Sequence, residues 1–193
     1  MKKVCVYCGS SPGKSPEYIA SARELANELV TRNIGLVYGG ASVGIMGELA
    51  DTVLAGGGEV IGVIPQSLVD KEVSHSGLTE LRIVNSMHER KAIMAEISDG
   101  FIALPGGLGT IEELFEVLTW SQLGLHKKPC ALLNVKQYYS SLCSFLDHAV
   151  DEQFVKPNHR EMLLVEKRSS KLLDAMESYK SPAVDKWMGL NGT

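Results

Sequence analysis

Apolar runs alternate with helical patterns along almost the whole chain, and this alternation constrains the fold more than any other feature. The apolar runs predict strands near 3–8, 34–38, 59–64, 81–84, 99–104, 129–134 and 162–165. Helical patterns follow near 16–32, 45–56, 87–98, 110–123, 138–152 and 169–178. Runs such as Val4 to Tyr7 and Phe101 to Leu104 are apolar at every position rather than at alternate ones, so both faces of their sheet must be covered. Strict β-α alternation of that kind builds a doubly wound parallel sheet flanked by helices. A chain of 193 residues is long enough for one substantial core, and no repeat or compositional break marks a second domain. Residues 1–180 are therefore expected to form a single α/β domain, and 181–193 an irregular tail.

The totals exclude several functions. No apolar run is long enough to span a bilayer, and a net charge of −4 exerts no general pull on a nucleic-acid polymer. The run from Val4 to Tyr7 is too short for a signal-peptide core and ends at Gly9-Ser10-Ser11-Pro12. Cys5 and Cys8 form a C-x-x-C, but within a strand positions three apart point to opposite faces. A redox pair needs a helix start and a zinc site needs a second ligand pair, so the four cysteines read as packing thiols of a reducing cytoplasm. His75, His88, His126, His148 and His159 show no metal-ligand spacing.

In a Rossmann-like sheet, ligands bind beyond the carboxyl ends of the strands. Those ends carry, in order, Gly9-Ser10-Ser11, the stretch Gly39 to Gly47, the long polar connection Pro65 to Glu80, Met87 to Lys91, and Pro105 to Glu113. The last is the most telling: an apolar strand runs through Pro105-Gly106-Gly107-Leu108-Gly109 straight into a helix. Glycines let a backbone approach an anion, and the free N–H groups of a first helical turn face it. Gly39 to Gly44 has the outer glycine spacing of a P-loop, but Ile45-Met46 replace its lysine and hydroxyl residue, and no G-x-G-x-x-G follows the first two strands. Gly39, Gly40, Gly44 and Gly47 suit helix–strand packing and ligand approach equally.

Ser86-x-x-Glu89 has the form of a capping box, which sets Arg90 and Lys91 in the first turn of a helix. Cations there oppose the helix dipole by a few tenths to ~1 kcal/mol, so their presence beside a predicted anion site points to function. Thr110-x-x-Glu113 has the same form. Glu113 fits a cap or a site, Glu112 and Glu116 suit the cap equally well, and spacing does not choose. In the same helix Ile111, Leu114, Phe115 and Leu118 form a core stripe, whereas Trp120 and Leu123 could extend onto an oligomer surface.

Taken together, Pro105 to Glu113 and Met87-His88-Glu89-Arg90-Lys91 resemble the P-G-G-x-G-T-x-x-E and M-H-x-R-K motifs of the LOG ("lonely guy") family. Supporting matches run through Val37 to Gly40, Gly44 to Gly47, Val63 to Pro65 and Thr119 to Gly124, and the similarity extends to about residue 165. These are cytokinin riboside 5′-monophosphate phosphoribohydrolases, often labelled lysine decarboxylases. The chain is short for a pyridoxal-phosphate decarboxylase and has no recognisable cofactor-lysine motif. The resemblance implies hydrolysis of the N-glycosidic bond of cytokinin riboside 5′-monophosphates and AMP, with no metal or other cofactor. It implies Arg90 and Glu113 as the catalytic pair. Glu72, Lys91, Gly107, Leu108, Gly109, Thr110, Ile111, Glu112 and Thr119 would bind substrate; the strand-end reading adds Gly9, Ser10, Gly39, Gly40, Gly44 and Met87 as further candidate positions. The resemblance also implies a homodimer with active sites near the interface. Two alternatives stand beside it: a non-catalytic carrier of nucleotide or molybdenum cofactor, and a general purine nucleotide nucleosidase of salvage. A carboxylate in the site argues against the carrier.

Overall fold

The computed structural model describes residues 1–69 and 74–182. The strands are β1 (Lys3–Tyr7), β2 (Gly35–Tyr38), β3 (Val60–Pro65), β4 (Glu80–Val84), β5 (Gly100–Ala103), β6 (Cys130–Leu133) and β7 (Leu163–Glu166). The helices are α1 (Pro16–Thr31), α2 (Gly44–Ala55), α3 (Gln66–Val69), α4 (Met87–Ile97), α5 (Leu108–Gln122), α6 (Ser140–Asp151), α7 (Pro157–Arg160) and α8 (Ser169–Ser178). All seven strands pair in parallel in the order β4-β3-β2-β1-β5-β6-β7. The chain winds outward from β1 to β4, returns to pair β5 with β1, and then winds the other way. That reversal opens a crevice between the ends of β1 and β5, the place where such sheets bind ligands.

Burial on both faces explains the unbroken apolar strands. On one face Leu25 and Leu29 of α1, Leu49 and Val53 of α2, and Leu172 and Met176 of α8 pack with Val4, Val6 and Leu36. On the other, Met94 of α4, Leu114 and Val117 of α5 and Leu146 of α6 pack with Cys5, Val37 and Phe101. Cys5 and Cys8 belong to opposite layers, as strand geometry requires, and all four cysteines are free thiols.

Three local features depart from the expected pattern. Helix α5 starts at Leu108 rather than 110. A 3-10 turn at Val135–Gln137 precedes α6, with Lys136 and Gln137 at φ 49° and 61°. The long third connection contains α3, and Ser74 makes an isolated antiparallel bridge to Ala41. Glu72 and the tail from 183 to 193 lie outside the described residues. Among the described residues, no helix is long and apolar enough to cross a membrane.

Leu49 is fully buried in the layer formed by α1 and α2. Leu49→Ala should destabilise the protein by about 2–5 kcal/mol in urea unfolding, and a loss below about 1 kcal/mol would contradict this packing.

Candidate active site

The crevice is held together by backbone. The Gly9 amide donates to the Pro105 carbonyl at 3.2 Å, and the Ile45 amide donates to the Gly9 carbonyl at 3.2 Å. A Cβ on Gly106 would sit 2.9 Å from the Gly9 nitrogen, so glycine at 106 lets the two loops lie side by side. Gly44 takes φ +60°, and a Cβ there would strike the Ser10 backbone, which lets the start of α2 press on the same loop. Together these contacts leave a cavity of about 350 Å³ lined by Cys8, Gly9, Ser10, Met46, Leu68, Met87, Arg90, Gly107, Leu108, Gly109, Thr110, Glu112 and Glu113.

Helix α5 presents an open N-terminus to this cavity. Its N-cap is Gly107, which has no side chain to satisfy the first amides, so those of Leu108, Gly109 and Thr110 remain free to bind an anion. The capping box expected at Thr110 does not form, because the helix begins earlier and Thr110 is already its third residue. Glu113 therefore lies in the second turn, with its carboxylate directed at Arg90 rather than at the helix start.

Helix α4 is capped as expected. Ser86 Oγ accepts from the Glu89 amide at 3.1 Å, while Glu89 Oε2 accepts from the Asn85 amide at 2.8 Å. The helix so begun turns both cations inward, and Arg90 and Lys91 are each only 8% exposed. Arg90 Nε donates to the Val63 carbonyl at the end of β3 at 2.9 Å, and its Nη1 donates to Glu113 Oε1. Lys91 Nζ donates to Glu112 Oε1 at 2.6 Å and to Glu116 Oε1 at 3.0 Å. The two cations thus sort the three carboxylates of α5: Lys91 holds Glu112 and Glu116, and Arg90 holds Glu113.

Burial pushes the Glu113 carboxyl above the ordinary glutamate value, and the charge and hydrogen bond of Arg90 offset this only in part. The hydrogen bond to Glu112 raises Lys91 and keeps it protonated. Burial, reinforced by the Glu113 charge, raises the Cys8 thiol far out of the nucleophilic range. Cys8 is therefore a neutral wall of the cavity.

The expected site residues separate into two groups. Gly9, Ser10, Met87, Arg90, Gly107, Leu108, Gly109, Thr110, Glu112 and Glu113 line the cavity. Gly39, Gly40, Gly44, Lys91, Ile111 and Thr119 lie outside its lining; Lys91 is occupied by two carboxylates, and the Thr119 hydroxyl donates to the Phe115 carbonyl at 2.7 Å. Sequence reasoning missed Cys8, Met46 and Leu68 as lining residues and the Val63 carbonyl as the anchor of Arg90. Apolar side chains and backbone oxygens carry no chemical signature, and only the position of Cys8 and Val63 near strand ends could have indicated them. Among the described residues, no cluster of three or more His, Cys, Asp or Glu side chains could hold a metal ion.

The fold is a Rossmann-like α/β sheet with an open helix N-terminus at its switch point and a buried carboxylate–guanidinium pair one turn further on. The chain belongs to the LOG family: the family profile described as "possible lysine decarboxylase" matches residues 46–176. LOG3 of Arabidopsis thaliana, a cytokinin riboside 5′-monophosphate phosphoribohydrolase, is 52% identical over 92% of this chain and 83% of its own length. LOGL6 of Oryza sativa subsp. japonica, a probable enzyme of the same name, is 52% identical over 96% of this chain and 74% of its own. Among solved structures, the molybdenum cofactor carrier protein of Chlamydomonas reinhardtii superposes with a TM-score of 0.68 at 21% identity, covering 91% of this chain and 96% of that one. The molybdenum cofactor binding protein of Rippkaea orientalis gives 0.67 at 18% identity, over 92% and 97%. At that identity these two share the fold alone.

Arg90→Ala leaves a buried carboxylate without its partner and should cost about 3–5 kcal/mol near neutral pH. Glu113 holds its proton to higher pH in the folded than in the unfolded chain, and to higher pH still without Arg90, so this contribution to stability falls as pH rises through that window. The deficit of the variant relative to wild type in urea unfolding should therefore be larger at about pH 8 than at about pH 5. Equal deficits at both would contradict the assigned pair.

Proposed function

We propose that this protein hydrolyses the N-glycosidic bond of nucleoside 5′-monophosphates, cytokinin riboside 5′-monophosphates and AMP among them, and releases the free base and ribose 5-phosphate. One observation carries this reading: a buried carboxylate, Glu113, held by Arg90 one helical turn beyond the open amides of α5. The names of the relatives at 52% identity support it. Residues 1–180 are its single catalytic domain.

The chemistry follows from the placement. The Gly107 to Thr110 backbone holds the 5′-phosphate, and the rise from Thr110 to Glu113 is about 4.5 Å at 1.5 Å per residue, which brings the carboxylate to the ribose. As the bond between C1′ and the base nitrogen breaks, its electron pair leaves on the base, which takes up a proton, and positive charge develops on the sugar as in glycoside hydrolysis. Glu113 stabilises that charge and accepts a proton from the water whose oxygen bonds to C1′. Arg90 donates hydrogen bonds to the Val63 carbonyl and to Glu113, so its part is to orient Glu113 and to stabilise charge. Glu72 and Lys91 support the nucleotide site, with Glu112 held in place by Lys91.

We also read the protein as a cytoplasmic homodimer. Its cysteines are all free thiols, and α5 leads past Thr119 to exposed Leu123 and Leu125, an apolar surface suited to a second copy beside the site. The carrier alternative draws on the likeness to molybdenum-cofactor proteins, but a passive binder of an anion gains nothing from a buried carboxylate facing it.

Incubation with AMP should yield adenine and ribose 5-phosphate in equal amounts. Glu113→Gln should still bind AMP while turnover falls by about 10²–10⁴-fold, the usual contribution of a general base. Near-wild-type base release by that variant would remove Glu113 from the mechanism, and no release by the native protein from AMP, GMP, CMP or isopentenyladenosine monophosphate would favour the carrier.

A further inference from the structure

Arg90 is fixed on two sides, by the Val63 carbonyl through Nε and by Glu113 through Nη1. The third side, which receives Nη2, is the α-carbon of Gly39, the residue that follows β2. A Cβ built on Gly39 would lie 2.5 Å from Arg90 Nη2 and 3.1 Å from Met46 Sδ. Its neighbour Gly40 needs glycine for a different reason, a φ of +82°. Gly39 is not among the positive-φ residues, so its backbone would accept any side chain. Space for the guanidinium is what the position supplies, and Gly39 does not line the ligand cavity.

We propose that Gly39 is a positioning residue: by withholding a side chain, it seats Arg90 in the one place where the guanidinium reaches both Val63 and Glu113. The inference rests on Arg90 and Glu113 being the catalytic pair proposed above. A methyl group at position 39 meets the tip of a side chain rather than backbone, so the chain can still fold, but the guanidinium must leave its seat and break one of its two hydrogen bonds. The loss therefore falls on turnover. It would fall on substrate affinity if Gly39 instead allowed the backbone to approach the nucleotide.

Steady-state kinetics on AMP with Gly39→Ala separate these roles. The variant should lose about 100-fold in kcat, the usual effect of a misplacement of about 1 Å, while KM stays within about threefold. A raised KM with kcat intact, or native kinetics, would overturn the proposal. Thermal unfolding of Gly39→Ala, Arg90→Ala and the double variant tests the contact without any activity. Gly39→Ala should lower Tm several-fold more in the native background than where Arg90 is already alanine and only Met46 Sδ is crowded; equal losses in both backgrounds would overturn the assignment. If the native protein releases no base from AMP, GMP, CMP or isopentenyladenosine monophosphate, the functional reading fails while this thermal cycle still decides the contact.

Discussion

Burying a guanidinium against a carboxylate strips both of water, and their mutual attraction repays that loss only where the fold also satisfies their remaining hydrogen-bonding groups. Around Arg90 and Glu113 the fold does so from several directions. The end of β3 supplies the Val63 carbonyl, the Ser86 cap sets the rotation of α4, and Lys91 draws Glu112 and Glu116 away so that Glu113 alone faces Arg90. The close approach of Gly9 to Pro105 and Gly106 then fixes where α5 begins, and with it the distance between the open amides and the carboxylate.

Shared architecture does not imply shared chemistry here. The molybdenum-cofactor proteins superpose on nearly the whole chain, yet a fold is only a frame for the residues grafted onto it. A Rossmann-like sheet supplies a crevice and a helix N-terminus to any anion. In this chain that frame carries a carboxylate whose proton affinity is raised by burial and whose position is held by the Arg90 guanidinium. Such a group is suited to a water and a developing positive charge rather than to a phosphate.

Much of this was legible in the sequence, because periodicity and strand-end position are local properties. Unbroken apolar runs revealed the strands, and their carboxyl ends put Met87 to Lys91 and Pro105 to Glu113 on one edge of the sheet, while spacing did not choose between a cap and a site for Glu113. Local pattern misled at Thr110, where the T-x-x-E spacing suggested a cap. The helix instead starts at Leu108, because Gly106 allows Thr110 to pack against the turn: a Cβ on Gly106 would collide with Thr110 Oγ1. Three-dimensional neighbours stayed hidden for the same reason. Nothing in Val37-Tyr38-Gly39-Gly40 signals that one glycine serves a backbone angle and the other a guanidinium from fifty-one residues further along. The resemblance marks Lys91 as a substrate-site position with no partner legible, and only the packing of α4 on α5 shows its ammonium held by two carboxylates.

The most direct test of the central claim is a crystal structure of the Glu113→Gln variant with intact AMP bound. The 5′-phosphate should lie on the amides of Leu108, Gly109 and Thr110, with C1′ and a water molecule in contact with the side chain at position 113. A phosphate held elsewhere, or a ribose facing away from position 113, would contradict that claim.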